Sequence, residues 1–349
     1  MRELLRYMAM VLLLCIGLQG CSLIDDDLSV CGTDFELALQ MELITNLDLE
    51  LETVLSAETD IQTRTILHDY FSNIFTDHAH DIAIGFYSTE NDELVYSIHD
   101  TIDANQSTYT FYLPKDDYHV IALANLDGNG VVTLADSANS RMANLVTLSQ
   151  DTLPSQQTGL FAVSRDVTVI DTADQKIDLT LHMASCAVAL VIDTGDVHVL
   201  GMRAILCNTA DGLYLRDSLY TFGKPKTVRM EKIEASPQSS PKREEENRAP
   251  MAYEEEQAQP YLFGCASFPS PDEPDGYGTY YQAKVYVTLP DGTTTETVLS
   301  VRESLPAGHL KLLKLQLQSD GVVLPVGTGE VGATVTLDWK DGGTHTIEI

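Results

Sequence analysis

Two stretches of this chain hold side chains at spacings that suit metal chemistry. His78-Ala79-His80, with Asp77 before it and Asp81 after it, is one. On a strand, alternate residues share a face, so both imidazoles can meet one ion. Asp127-Gly128-Asn129-Gly130 is the other, and it begins like a calcium loop. Val131 and Val132 then occupy positions that need oxygen ligands or glycine, so a turn is the better account. No Gly-x-Ser-x-Gly, His-Glu-x-x-His, phosphate loop or dinucleotide fingerprint occurs. With 52 acidic residues in the chain, paired carboxylates arise by chance and are no argument for a glycosidase. The expectation is therefore no catalytic residue, no resident metal and no cofactor.

The N-terminus carries a different chemistry. Arg2 and Arg6 precede an apolar run of twelve residues, Tyr7 to Leu18, too short to span a bilayer as a helix and suited to an export signal. Leu18-Gln19-Gly20-Cys21 closes it and resembles a bacterial lipobox, with Gln19 off the commonest pattern. Cys21 is the lipid attachment residue that this implies. Each buried methylene of an acyl chain contributes about 0.8 kcal/mol, and two or more chains anchor stably. Asp25-Asp26-Asp27 comes within six residues of that cysteine. Such a run resembles the acidic export tag of surface lipoproteins, and it also suits a hydrated spacer between lipid and fold. The expected address is the outer membrane, facing outward.

Charge narrows the partners. Removing residues 1–20, with Arg2, Arg6 and Glu3, leaves 19 bases, 51 acids and a net charge of −32. Phosphate recognition needs clustered Lys and Arg, so nucleic acid is not an expected ligand. No later stretch approaches eighteen continuous apolar residues, which leaves lipid as the expected membrane attachment. Cys31, Cys186, Cys207 and Cys265 remain after the signal and the lipid site, at spacings too wide for a Cys-x-x-Cys motif. Four cysteines allow three pairings, and Cys186, inside the apolar run Ala184–Ile192, also suits burial as a small hydrophobe.

The elements that must position these residues are mostly strands. Phe35, Leu37, Leu39, Met41 and Leu43 alternate with polar residues, and Leu47, Leu49 and Leu51 alternate with Asp48, Glu50 and Glu52. Ile66, Leu67, Tyr70, Phe71, Ile74 and Phe75 instead recur at helical spacing within 65–76. Strands are expected over 82–87, 94–99, 107–113 and 119–125, with 125–130 as a turn, then a pair over 159–164 and 167–170. Long alternating strands are expected over 176–192 and 197–207, then 280–288, 296–302, 310–317 and a closing hairpin of 333–339 with 344–349. The expected organisation is a signal over 1–20, an acidic tether over 21–31, and β-sandwiches over 32–175 and 176–349. Residues 234–260, with Ser-Pro repeats, Lys242-Arg243-Glu244-Glu245-Glu246 and Glu254-Glu255-Glu256, hold too few apolar groups to offset ordering entropy. They are expected to form a mobile, protease-sensitive insertion between strands of the second sandwich.

Several segments, taken in order, resemble the FimB-like family of fimbrial anchor and minor subunits of Bacteroidetes-type bacteria. They are Asp27-Leu28-Ser29-Val30-Cys31 after the lipobox, and Phe75-Thr76-Asp77-His78 leading into Asp81-Ile82-Ala83-Ile84-Gly85-Phe86-Tyr87. Tyr112-Leu113-Pro114 continuing through Tyr118 to Leu126, Leu305-Pro306-Ala307-Gly308-His309 and Val335-Thr336-Leu337-Asp338-Trp339 complete the set. Lys115-Asp116-Asp117 stands where a Pro-Gly type turn is expected, and Ala122–Ala124 lacks the usual tryptophan. The resemblance implies an all-β fold of two tandem transthyretin-like β-sandwich domains, with one short helix in the first. It places His78 and His80 at a helix-to-strand junction rather than around an ion. It also implies a non-enzymatic, structural role at the base of a surface fimbrium. In that family subunits join by strand exchange: a protease removes a subunit's first strand, and a neighbour's C-terminal strand fills the groove. The implied partners are fimbrial subunits and, through acylated Cys21, outer-membrane lipid.

Between Cys21 and Lys115 the only lysine or arginine is Arg64. Polymerising relatives are thought to be matured at such an arginine, so Arg64 is the possible cleavage point; an ordinary surface arginine is the plainer reading. Keeping the first strand favours an anchor over a protease-matured shaft or tip subunit. The rival from another class is a surface glycan-binding lipoprotein. Such sites usually present exposed aromatics, and the chain has one tryptophan, Trp339, and one tyrosine cluster, Tyr277, Tyr280 and Tyr281.

Overall fold

A computed structural model describes residues 32–42, 45–76, 80–101, 108–135, 144–170, 175–234, 259–326, 331–339 and 343–348. The first strand, β1 (Gly32–Glu42), leads into helix α1 (Leu47–Val54), a 3-10 turn (Glu58–Asp60) and helix α2 (Ile61–Ile74). The next strands are β2 (Asp81–Ser88), β3 (Leu94–Thr101), β4 (Thr108–Pro114), β5 (Asp116–Ala124), β6 (Val132–Leu134), β7 (Asn144–Thr147), β8 (Thr152–Leu153), β9 (Phe161–Val169) and β10 (Gln175–Met183). The second half holds β11 (Cys186–Asp193), β12 (Gly201–Thr209), β13 (Gly212–Tyr214), β14 (Leu219–Thr221), β15 (Lys226–Ile233) and β16 (Tyr261–Ser267). It closes with β17 (Tyr281–Thr288), β18 (Thr294–Val301), β19 (Leu310–Leu317), β20 (Val323–Pro325), β21 (Val331–Trp339) and β22 (Gly343–Glu348).

Seven strands form the first sheet, in the order β3-β2-β5-β9-β10-β1-β4. The second sheet runs β20-β19-β11-β16-β15-β12-β17-β18-β21-β22, with β8 beside β15. Because β15 pairs with β12 through its first half and with β16 through its second, the long sheet folds over on itself as a sandwich. A small sheet, β14-β13-β7-β6, takes two strands from each half of the chain and ties the two β-sandwich bodies together. The expected mostly-β, two-sandwich architecture is present.

Side-chain alternation on β11 explains how the cores are divided. Cys186, Val188, Leu190 and Ile192 join one core, facing Ala204, Leu206, Val285, Val287 and Leu299 of the layer formed by β12, β17 and β18. Ala187, Ala189 and Val191 join the other core, with Leu51, Leu67, Phe71, Ile74 and Phe75 from the helices and Phe35, Ile84, Phe86 and Val120 from the first sheet. The strand is buried on both faces, and it reads as an unbroken apolar run for that reason. On α2, Thr63, Leu67, Phe71 and Ile74 are buried at spacings of four, four and three, a single stripe.

Several expectations change in the structure. Residues 47–51 form helix α1, a second helix beside the one expected at 65–76. Period-two spacing places Leu47, Leu49 and Leu51 on one face, but Leu51 is buried while Leu49 lies in solvent. Leu and Glu favour helix over strand, and Asp48 and Glu50 in the first turn suit its dipole. The strand pair expected over 159–170 is one strand, β9. The long strand expected over 176–192 is two, broken at Ala184–Ser185, where the chain passes from the first sheet to the second. The boundary placed at 175 thus falls at the start of β10, which still belongs to the first sheet. Strands β15 and β16 are adjacent and antiparallel, with Ile233 opposite Leu262, so the polar segment is indeed an insertion within one sheet; its residues 235–258 lie outside those described.

Helix α2 docks on a bare patch of β16. A Cβ on Gly264 would stand 2.8 Å from Ile233 Cδ1, 2.9 Å from Tyr70 Cε1 and 3.2 Å from Phe71 Cζ. Gly264→Ala is expected to push α2 off the sheet and destabilise by about 1–3 kcal/mol, the range for overpacked cores. Urea unfolding checks this: the midpoint should fall with the slope unchanged, and an unchanged midpoint would show that α2 does not bear on Gly264.

Candidate functional site: the first strand and the edge it leads to

Along β1, Phe35, Leu37 and Leu39 face the core. Phe35 and Leu37 are buried, and the Phe35 ring packs against Phe111 at 5.7 Å and Phe86 at 5.9 Å between centroids. The strand is paired along both sides. It runs parallel to β10, from Phe35 opposite Gln175 to Glu42 opposite His182, and antiparallel to β4, from Gly32 opposite Pro114 to Ala38 opposite Thr108. Glu42 Oε2 meets His182 Nδ1 at 2.7 Å, and Glu36 meets Lys176 Nζ at 3.9 Å, both at the surface, where such pairs contribute little. Removing β1 would open a groove between β10 and β4 lined by unpaired main-chain groups.

The segment after β1 is fastened to the second sheet. Strand β20 reaches only Leu315–Leu317 of β19, leaving the first half of that edge without a strand partner among the described residues. Side chains from the α1 region cover it. Asn46 Oδ1 accepts from Leu310 N at 2.8 Å while Asn46 Nδ2 donates to Leu310 O at 2.9 Å, imitating a neighbouring strand. Glu50 Oε1 accepts from Leu312 N at 3.0 Å, and Lys314 Nζ donates to Asp60 Oδ2 at 2.7 Å. Covering an open edge in this way blocks adventitious pairing. Sequence reasoning missed Asn46, Glu50 and Asp60. Their partners stand 264, 262 and 254 residues away, so no local pattern marks them.

Arg64, the possible cleavage point, lies within α2, half-buried between the buried Thr63 and Leu67. Thr65 Oγ1 donates to Ile61 O at 3.0 Å across that turn. Access to the bond after Arg64 requires the start of α2 to open. Cys21, the lipobox, the acidic tether and Cys31 lie outside the described residues, as do Asp77, His78 and Ala79. His80 is exposed, and its N–H donates to Asn125 Oδ1 at 2.7 Å. The stretch 125–130 forms the expected turn. Asn129 Oδ1 accepts from Val131 N and Val132 N, and Asn129 Nδ2 donates to Thr158 O, so this side chain is committed to holding the turn. The tyrosine cluster is dispersed: Tyr277 stands in solvent while Tyr281 is buried in the second core. Among the described residues, no helix is long and apolar enough to cross a membrane.

The described cysteines are not poised for chemistry. Cys186, Cys207 and Cys265 are free thiols, and Cys186 and Cys265 are fully buried. Loss of hydration pushes the Cys186 thiol up to about 12, and burial raises Cys265 and Cys207 as well. The stability this confers is complete below the ordinary thiol value and is lost as pH rises through the folded-state value. Cys186 and Cys265 are therefore expected to resist iodoacetamide at about pH 8, near the free-thiol value, until the protein is unfolded, as read by peptide mass spectrometry. The melting temperature should fall as pH rises from 9.0 toward about 12, less steeply in Cys186→Ala.

Comparison with known proteins bears on most of the chain. A sequence-family profile described as fimbrillin-A associated anchor proteins Mfa1 and Mfa2 matches residues 52–340. Among curated proteins, no sequence matches. A candidate adhesin from Bacteroides thetaiotaomicron has a similar solved structure, at 12% identity and a TM-score of 0.50, covering 88% of this chain and 97% of that one. The fimbrial anchor protein Mfa2 from Porphyromonas gingivalis is 10% identical with a TM-score of 0.46, covering 91% and 100%. The tip fimbrial protein Mfa3 from the same organism is 10% identical with a TM-score of 0.42, covering 88% and 100%.

Proposed function

Since this chain belongs to the family of fimbrillin-A associated anchor proteins, we propose that it is the membrane-seated anchor of a surface fimbrium, held by lipid on Cys21 and retaining its first strand. The observation that carries this reading is the double fastening of the N-terminal segment. Strand β1 is paired on both sides inside the first sheet, and Asn46, Glu50 and Asp60 bond to β19 of the second. Cutting after Arg64 and withdrawing residues up to that point would strip an interior strand from one sheet and the cover from an edge of the other. A subunit that keeps β1 has a filled groove and does not polymerise with itself. It meets its neighbour instead by lending or receiving a strand elsewhere, through main-chain hydrogen bonds with alternating side chains setting the register. The role we propose is a structural one, in keeping with the family to which the chain belongs.

A glycan-binding surface lipoprotein is less well supported. Its best candidate platform, the tyrosine cluster, is divided between solvent and core, with Tyr277 90% exposed and Tyr281 1% exposed.

The N-terminus of the protein taken from its native outer membrane, read by mass spectrometry, tests the anchor reading. Acylated Cys21 continuous with β1 is the expected result. A terminus at Thr65 would overturn it and make the chain a protease-matured shaft or tip subunit.

A further inference from the structure

Three side chains that lie far apart in the sequence meet at one end of the first sheet. Asp81 opens β2, His99 stands on β3 opposite Ala83, and Asp127 lies in the turn after β5. Direct cross-strand partners share a face, and Asp81 faces Thr101, so Asp81 and His99 are diagonal neighbours on one side of the ladder. His99 Nε2 stands 3.1 Å from Asp127 Oδ2, and one donor atom from each of the three residues lies within 4.8 Å of the others.

The character of Asp81 distinguishes this cluster from a chance surface ion pair. Its side chain is only 3% exposed. Oδ1 accepts from Leu126 N at 2.8 Å, which fixes the carboxylate and ties the turn carrying Asp127 to the start of β2. Oδ2 is buried with no hydrogen-bond partner among the described residues. A carboxylate oxygen left in that state costs free energy unless a cation or donor meets it. His99 and Asp127, at 54% and 60% exposure, form the open side of the cluster.

We propose that Asp81, His99 and Asp127 bind a divalent transition-metal ion of the zinc type. The donor set selects the class: one imidazole nitrogen with two carboxylates suits zinc, whereas calcium and magnesium take oxygen ligands. Zinc–ligand bonds of about 2.0–2.2 Å put tetrahedral donors roughly 3.3 Å apart, which the His99–Asp127 spacing already meets. The ion neutralises both carboxylates and supplies the partner that Asp81 Oδ2 lacks. Its fourth position faces solvent and is open to water or to a donor from a neighbouring molecule. Structurally the ion acts as a clasp. Strand β3 is the outer edge of the sheet, paired only with β2 among the described residues and exposed along nearly all its length. Joining His99 to Asp81 and Asp127 fastens that edge to the β5–β6 turn.

The test uses the full mature chain, stripped with EDTA and titrated with Zn²⁺ by calorimetry and by thermal melting. One site per chain and a rise in melting temperature on zinc addition are expected, with no such response to Ca²⁺ or Mg²⁺. His99→Gln and Asp127→Asn, both on the exposed side, should each weaken zinc binding tenfold or more while leaving the metal-free melting temperature unchanged. Asp81→Asn is the less useful variant, since Oδ1 also holds the turn. Absence of zinc binding, a response to calcium instead, or zinc binding undiminished in the His99→Gln, Asp127→Asn double variant would each overturn the proposal.

Discussion

Everything in this fold leans on one layer, the strands β19, β11 and β16, whose apolar residues are shared between two cores. A sheet with a single wet face alternates apolar and polar side chains. Here alternate residues of β11 serve two different cores, so neither set can be polar. The small size of Ala187, Ala189 and Ala266 on the helix side, and of Gly264 beneath Tyr70 and Phe71, lets α2 lie close to the sheet. Larger residues on the other side, Leu190, Phe263 and Leu315, fill the sandwich formed with β12 and β17. The first sheet, the helices and the second sheet are stacked layers with a shared middle, and the small β6–β7–β13–β14 sheet closes them from the side.

That shared middle layer has an edge, and the treatment of the edge connects fold to role. Strand β19 would present bare N–H groups at Leu310 and Leu312 were it not for Asn46 and Glu50. The same segment that supplies those caps links β1 to α2, so one stretch of chain fills the first sheet and shields the second. A cut after Arg64 would act on both together. Two sheets whose integrity depends on the same segment favour keeping it, which is the physical content of the anchor proposal.

Much of this was legible in residue pattern. Period-two spacing marks β1, β4, β17 and β18 because each has one face on a core and the other exposed or half-buried. The stripe of α2 is equally plain. Segment 47–51 was misleading because leucines two apart satisfy a strand template while Leu47, Leu51 and Leu55 satisfy a helical one; only burial of Leu51 and Leu55 in the core beside β19 selects between them. The short strands β6, β7, β8, β13, β14 and β20 carry too few residues for any period to register. The break at Ala184–Ser185 was hidden for the opposite reason: β10 and β11 are both apolar there, and the change of sheet leaves little polar punctuation.

Composition, the alternation of most strands, the α2 stripe, the placement of a polar insertion between two strands and the family resemblance are legible along the chain, since each rests on local order. That β1 lies between β10 and β4, that Asn46 and Glu50 cap β19, and that Asp81, His99 and Asp127 converge emerges from the folded arrangement alone. Each of these is a contact between residues remote in sequence. Such pairings are fixed by which faces must be buried together, a property of the assembled layers and not of any one segment.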